Sequence, residues 1–245
     1  MSEELVLRSD VDSVATLTLN RPDKLNAMNP AAFVELRDHI DAIASDESVR
    51  VVVLQGAGRS FCAGNDLGSI AAGEQAPTPH FQAETIDALE AMPQATIARV
   101  HGHCFTGALE LILGCDLIVC ADDANIGDTH GQWGLVPVWG MSVRLPERVG
   151  VAKARELSFT AKRFSGTEAA AMGLANQAVP LADLDTAVAS MASQIVASSA
   201  GTVSMMKRLI TDSRNMSRTD ALLHERQRPY GLPADMAERM AAGGR

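Results

Sequence analysis

No long basic run occurs anywhere in this chain of 245 residues, and its formal net charge is −9. A nucleic-acid partner is excluded on charge, because such partners are met by clustered Lys and Arg. Local cations and backbone N–H groups can still hold an anionic nucleotide. No apolar stretch reaches the length needed to cross a bilayer. The start, Met1-Ser2-Glu3-Glu4, is acidic where a secretory leader needs a basic segment, so the expected compartment is the cytoplasm. The four cysteines, Cys62, Cys104, Cys115 and Cys120, show no C-x-x-C spacing. Buried free thiols are expected there, with neither disulfides nor a metal site. The histidines and acids also lack ligand spacing, and no metal is expected. Gly56-Ala57-Gly58 follows a strand but lacks the third glycine and the acidic partner of a dinucleotide fingerprint. Ser60 and Ser142 lack a nucleophile elbow, which argues against a serine hydrolase.

What is present describes a folded α/β chain. An apolar content of 47% and a charged content of 21% are ordinary for a globular protein. The length fits one large domain, or one domain with an appendage. Residues 4–8 and 14–19 read as strands, with Asp10-Val11-Asp12-Ser13 as the turn. Asn29 and Pro30 form a helix start, N-cap followed by first helical position. Phe33, Leu36, Ile40 and Ile43 then mark its apolar stripe. Residues 49–54 are wholly apolar, as in a strand covered on both faces. Later strands are expected at 97–100 and 117–120, and helices at 184–196, 203–214 and 221–228. Between Gly68 and Pro79 the composition (Gly, Ala, Glu, Pro) suggests a mobile loop.

Two strand-to-turn junctions carry the chemistry. In Val100-His101-Gly102-His103-Cys104-Phe105-Thr106-Gly107-Ala108-Leu109-Glu110-Leu111, an apolar strand turns on glycine and leaves as a helix. Gly107 has no Cβ to obstruct a ligand, and an N–H at a helix start has no intrahelical partner. Glu110 sits three residues on, on the same helix face. An oxyanion donor and a carboxylate facing one spot suit acyl chemistry. A tight turn with a partly exposed glutamate is the plainer alternative. The earlier junction, Gly58-Arg59-Ser60-Phe61-Cys62-Ala63-Gly64-Asn65-Asp66-Leu67, also follows an apolar strand and can present backbone N–H groups. Two such turns are what a two-donor anion hole requires.

Together these turns resemble the crotonase (enoyl-CoA hydratase/isomerase) superfamily. The resemblance runs from Leu19-Asn20-Arg21-Pro22 and Leu25-Asn26-Ala27-Met28, past Leu145, through Ala169-Ala170-Ala171-Met172-Gly173-Leu174-Ala175. It implies an α/β fold, a crotonase-like spiral of ββα turns over residues 1–180 that carries the acyl-CoA site. A helical region at 181–245 would mediate assembly into a homotrimer or a dimer of trimers. It implies no cofactor beyond coenzyme A as part of the substrate.

Carried over by residue, the resemblance makes the N–H groups of Asn65 and Gly107 the oxyanion hole for a thioester carbonyl. Removing one such donor costs about 3–4 kcal/mol in acyl-transfer enzymes. Ala63, Gly64, Asp66 and Leu67 match positions along the adenine and pantetheine arm. Lys24, Leu25 and Ala27 match another coenzyme A wall, where Lys24 either pairs with a phosphate or stays solvated. Lys207, Arg208 or Arg245 could stand in for the basic tail that helps hold the nucleotide in relatives. Glu110 matches the first hydratase glutamate, and burial in an apolar pocket raises a carboxyl pKa toward neutrality.

The second hydratase glutamate is replaced here: counting back from Gly134 and Pro137, the matching residue is His130. A histidine can serve as acid or base, and Asp128 is close enough in sequence to hold its other nitrogen. Lining the pocket is the simpler role. Trp133 and Trp139 are the two tryptophans of a chain with only 4% aromatics, and either can narrow the acyl pocket. Three readings follow: a hydratase using Glu110 and His130, a double-bond isomerase using Glu110 alone, and an acyl-CoA-binding module. A buried acid argues against the last.

Overall fold

A computed structural model describes residues 4–243. The first two strands, β1 (Val6–Val11) and β2 (Val14–Leu19), form an antiparallel hairpin. Asp12 and Ser13 both take positive φ, +49° and +65°, as a two-residue turn matched to strand twist requires. The turn is therefore shorter than the four residues expected from sequence, and β1 runs on to Val11. Helix α1 (Pro30–Ala44) starts as read: the Asn29 side chain accepts from Ala32 N at 2.9 Å. Its face of Phe33, Leu36, Ile40 and Ile43 is buried.

The chain continues through β3 (Val51–Gly56), α2 (Leu67–Ala72), α3 (Phe81–Ala91), β4 (Ala95–Val100), β5 (His103–Phe105) and α4 (Gly107–Leu113). Next come β6 (Leu117–Ala121), β7 (Asn125–Gly127), α5 (His130–Trp133), α6 (Met141–Val149) and α7 (Val151–Thr160). The last elements are β8 (Phe164–Ser165), α8 (Gly166–Ala171), β9 (Gln177–Val179), α9 (Leu184–Ala197), α10 (Ala200–Ser213), α11 (Arg218–Gln227) and α12 (Met236–Ala241). Six strands form one sheet in the order β1-β2-β3-β4-β6-β9, parallel from β2 onward. A second sheet, β5-β7-β8, stands apart. Strands that alternate between two sheets produce the spiral.

Val51–Leu54 of β3 are buried on both faces, as their uniform apolarity predicts. One face is covered by α9, whose Leu184, Val188 and Ala192 join the common core. By contrast α10, α11 and α12 contain no buried residue. The segment expected to be a mobile loop is partly helical. Asp66 accepts from Gly68 N and Ser69 N, starts α2, and Gly73 closes that helix with φ +69°. A side-chain cap supplies here what composition does not show. Among the described residues no helix is long and apolar enough to cross a membrane.

Candidate active site

The loop after β3 is laced to two neighbours. On one side Phe61 N donates to His101 O (2.7 Å), Cys62 N to His103 O (3.0 Å) and Phe105 N to Cys62 O (3.3 Å). On the other, Ala63 N donates to Leu25 O (2.9 Å), Met28 N to Gly64 O (2.8 Å) and Asp66 N to Met28 O (2.9 Å). The N–H of Asn65, between these bonds, donates to no group among the described residues. Gly64 has φ +104°, and a Cβ there would lie 2.7 Å from Phe105 O and 3.5 Å from Gly107 N. Only glycine fits such a conformation at such a distance. The structure thus brings the two turns into contact.

A staple missed by the sequence reading fixes the first turn. Arg21 Nη1 donates to Asp66 Oδ2 at 2.8 Å and also to Ala27 O. Burial pushes the Asp66 carboxyl up, but the Arg21 guanidinium and the α2 N–H groups outweigh it and hold it below the usual range. The Arg-Pro pair in Leu19-Asn20-Arg21-Pro22 was the available signal, though nothing local points to a partner 45 residues away.

The second turn is strained. Thr106 has φ +54° and ψ −109°, a region that non-glycine residues rarely enter at a cost of about 1–3 kcal/mol. Its N–H donates to Gly127 O (2.9 Å), and its hydroxyl meets the Thr129 hydroxyl at 2.5 Å. Gly107 follows as the first residue of α4, with its N–H donating to nothing among the described residues. A Cβ on Gly107 would fall 2.3 Å from the Trp139 ring. That buried indole packs edge-on against Phe33, centroids 5.0 Å apart.

One turn along α4, Glu110 is 2% exposed. Its Oε1 accepts from Trp139 N (2.9 Å) and Met141 N (3.1 Å), two amides at the start of α6 that sequence reasoning did not anticipate. Oε2 lies 3.6 Å from His130 Nε2. Burial raises the Glu110 pKa above the ordinary carboxylate value, against the pull of these amides and the imidazole. His130, first residue of α5, is also buried, and its Nδ1 donates to Asp128 Oδ1 at 2.6 Å. For Asp128, burial pushes up, but the hydrogen bonds from His130 and the Ser158 hydroxyl prevail and keep it ionised.

The remaining residues named from sequence divide. Leu25, Ala27, Ala63 and Gly64 stand in the paired walls just described. Lys24 is exposed on a 3-10 turn, and Leu67 is exposed as the first residue of α2. Trp139 is central, whereas Trp133 is 61% exposed and outside the buried cluster, so it does not narrow the interior. Lys207 is committed inside the fold, with Nζ 2.8 Å from Asp116 and donating to Gln94 O. Arg208 stacks on Tyr230. Lys207 is therefore not a free cation for a nucleotide, Arg208 stays exposed, and Arg245 lies outside the described residues. Among the described residues no group of three His, Cys, Asp or Glu is placed to hold a metal.

Paired strand-to-turn junctions within a ββα spiral define the crotonase fold. The chain matches the family model described as enoyl-CoA hydratase/isomerase over residues 10–239. It is 30% identical over 239 residues to probable peroxisomal enoyl-CoA hydratase 1 of Arabidopsis thaliana, covering 97% of this chain and 90% of that one. It is 32% identical to the peroxisomal Δ(3,5)-Δ(2,4)-dienoyl-CoA isomerase of the same plant, covering 87% and 83%. The crystal structure of enoyl-CoA hydratase from Bacillus anthracis superposes with a TM-score of 0.92 at 30% identity, over 97% of this chain and 95% of that one. A putative enoyl-CoA hydratase from Thermobifida fusca, solved in complex with CoA, gives 0.84 at 30% identity over 91% of each. The chain belongs to the enoyl-CoA hydratase/isomerase family of enzymes.

Proposed function

We propose that this protein adds water across the α,β double bond of an acyl-CoA thioester. The observation that carries this reading is the position of Glu110. It is buried one helical turn below the free Gly107 N–H, with His130 beside it at 3.6 Å. The thioester carbonyl accepts from the N–H groups of Asn65 and Gly107, which stabilise the oxyanion as electrons move onto oxygen. Glu110 takes a proton from water, whose oxygen bonds to the β-carbon. The resulting enolate receives a proton at the α-carbon from the Glu110–His130 pair. A carboxyl raised by burial suits this work near neutral pH. Lys24, Leu25, Ala27, Ala63, Gly64, Asp66 and Leu67 line the arm of coenzyme A in this reading. Trp139 bounds the acyl group.

The test is loss of enoyl-thioester absorbance with crotonyl-CoA and with a longer enoyl-CoA, wild type beside His130→Ala. Hydration by wild type that collapses in the variant supports the pairing. Hydration untouched by His130→Ala removes the histidine from the reaction and leaves a hydratase that works through Glu110 alone; loss of conjugation with no water added to the product favours a double-bond isomerase instead.

We further propose a cytoplasmic homotrimer or dimer of trimers. Four buried free cysteines suit a reducing compartment. Met206, Ile210, Leu222 and Leu223 on α10 and α11 are exposed apolar residues of the kind a partner subunit covers. Light scattering should give three or six copies; a monomer at working concentration would contradict the assembly.

A further inference from the structure

Asp128 belongs to neither turn and does not reach Glu110, yet it is 2% exposed. A carboxylate so deeply buried persists only with close partners. It accepts from His130 Nδ1 at 2.6 Å and from the His130 backbone N–H at 3.2 Å, both on Oδ1. These two bonds fix the ring's orientation and leave the far nitrogen, Nε2, pointing to Glu110 Oε2. The corner that carries both residues is itself tied down. Thr129, between them, donates its N–H to Thr106 Oγ1 at 3.3 Å, and the two threonine hydroxyls pair. Thr106 is the strained N-cap of α4, the helix that carries Gly107 and Glu110. Strain of this kind persists where surrounding contacts over-determine it. Here the contact registers the Asp128-Thr129-His130 corner against the turn that would bind the carbonyl.

We infer that Asp128 is a positioning residue that fixes His130 with Nδ1–H toward itself and Nε2 toward Glu110, and that His130 thereby becomes the donor to the α-carbon. The inference rests on the hydratase reading and assigns its two proton transfers to separate groups. The reaction starts from one proton on the pair, carried on Nε2, with Glu110 as carboxylate. A lone pair of water forms the C–O bond at the β-carbon while Glu110 takes the departing proton. The π pair moves to the thioester oxygen, then returns to form the α-C–H bond with the Nε2 proton. Glu110, now protonated, passes its proton to the bare Nε2, which restores the starting state. Protons and electron pairs balance, with water as sole co-reactant.

The titratable groups facing the imidazole are Glu110 from α4 and Asp128 from the end of β7. Helix α7, which packs on α5, contributes the uncharged Ser158 hydroxyl to Asp128. Asp128 is the acceptor that holds the Nδ1–H, and neutralising it removes that acceptor. An asparagine can turn its amide to donate to Nδ1, which forces the opposite tautomer.

Asp128→Asn should lower kcat for crotonyl-CoA hydration by about 10²–10⁴-fold, the scale of a misassigned catalytic histidine tautomer. KM should hardly move, so the loss should fall on kcat. Asp128→Glu should recover part of the loss. Placed in a His130→Ala background, Asp128→Asn should cost no more than about twofold, since both act through one ring. Full kcat in Asp128→Asn, or the same large loss without His130, overturns the inference while the hydratase reading stands. Hydration unaffected by His130→Ala also overturns the inference alone, whereas no hydration by the wild-type protein overturns the hydratase reading beneath it. Nitrogen-15 NMR of the wild-type imidazole decides the matter independently of any variant's folding. A proton resident on Nδ1 is expected, and one on Nε2 alone contradicts the assignment.

Discussion

The two turns that meet at the candidate site are held in place by different means. The Gly64–Asn65 turn is clamped from outside. Backbone bonds to residues 25–28 and 101–105 flank it, and the Arg21–Asp66 pair closes it from below. The Thr106–Gly107 turn is held from within by the start of α4, a strained threonine and an indole seated on glycine. Both have polar partners at long range, Thr106 bonding to Gly127 and Thr129, but only the second turn also has a ring packed against its glycine. A donor fixed by pairing should be loosened gradually when one partner is lost. One fixed by packing should fail abruptly when volume is added.

Gly107→Ala should break the second turn. Its new Cβ would stand 2.3 Å from a buried ring that has little room to move, against Phe33. Overpacking of this sort costs about 1–3 kcal/mol in stability. Displacing the donor should lower kcat/KM by about 10²–10³-fold. Thermal melts and steady-state kinetics read both effects, and an unchanged kcat/KM would mean that this N–H has no part in the reaction.

Arg21→Ala should loosen the first turn more gently. A fall of about tenfold in kcat/KM, worth about 1.4 kcal/mol, is the expected size. The Asp66 pKa is depressed in the folded protein. Its contribution to stability is therefore present above the unfolded carboxylate pKa and is lost as pH falls through the folded value. Melting temperatures of wild type should drop in that acid window, and those of Arg21→Ala should drop less. Parallel curves for the two proteins would show that the pair does not support the turn.

The smallest expected effect concerns Glu110 as a burden on the fold. Its pKa is raised by burial, so the opposite sign applies. Its contribution is fully present below the unfolded carboxylate pKa and is lost as pH rises through the folded one. Glu110→Gln should then melt slightly higher than wild type at alkaline pH, with the gap closing in acid. A gap that is the same at both ends would remove the desolvation argument.

How much of this was legible in the sequence follows the range over which each signal acts. Helix α1 was readable in full, because Asn29, Pro30 and a four-residue stripe lie within fifteen residues. The register of Glu110 on Gly107 needed only helical geometry, and the place of His130 only a count back from Gly134. Long-range partners were not readable. Nothing near Glu110 points to amides 29 and 31 residues on, and nothing near Lys207 points to Asp116. Helix α2 was hidden by a composition typical of loops, and only the Asp66 cap reveals it. The tryptophans looked equivalent as letters; burial separates them, since Trp139 lies in the core and Trp133 does not.

The most direct test of the central claim is Glu110→Gln, assayed for hydration of crotonyl-CoA beside calorimetric binding of a saturated acyl-CoA. The glutamine keeps the shape and can still accept from Trp139 N and Met141 N. A fall in kcat of about 10²–10⁴-fold with affinity nearly intact is the predicted result. Turnover that survives the substitution would contradict the account, because the buried carboxylate one turn below Gly107 would then have no chemical role.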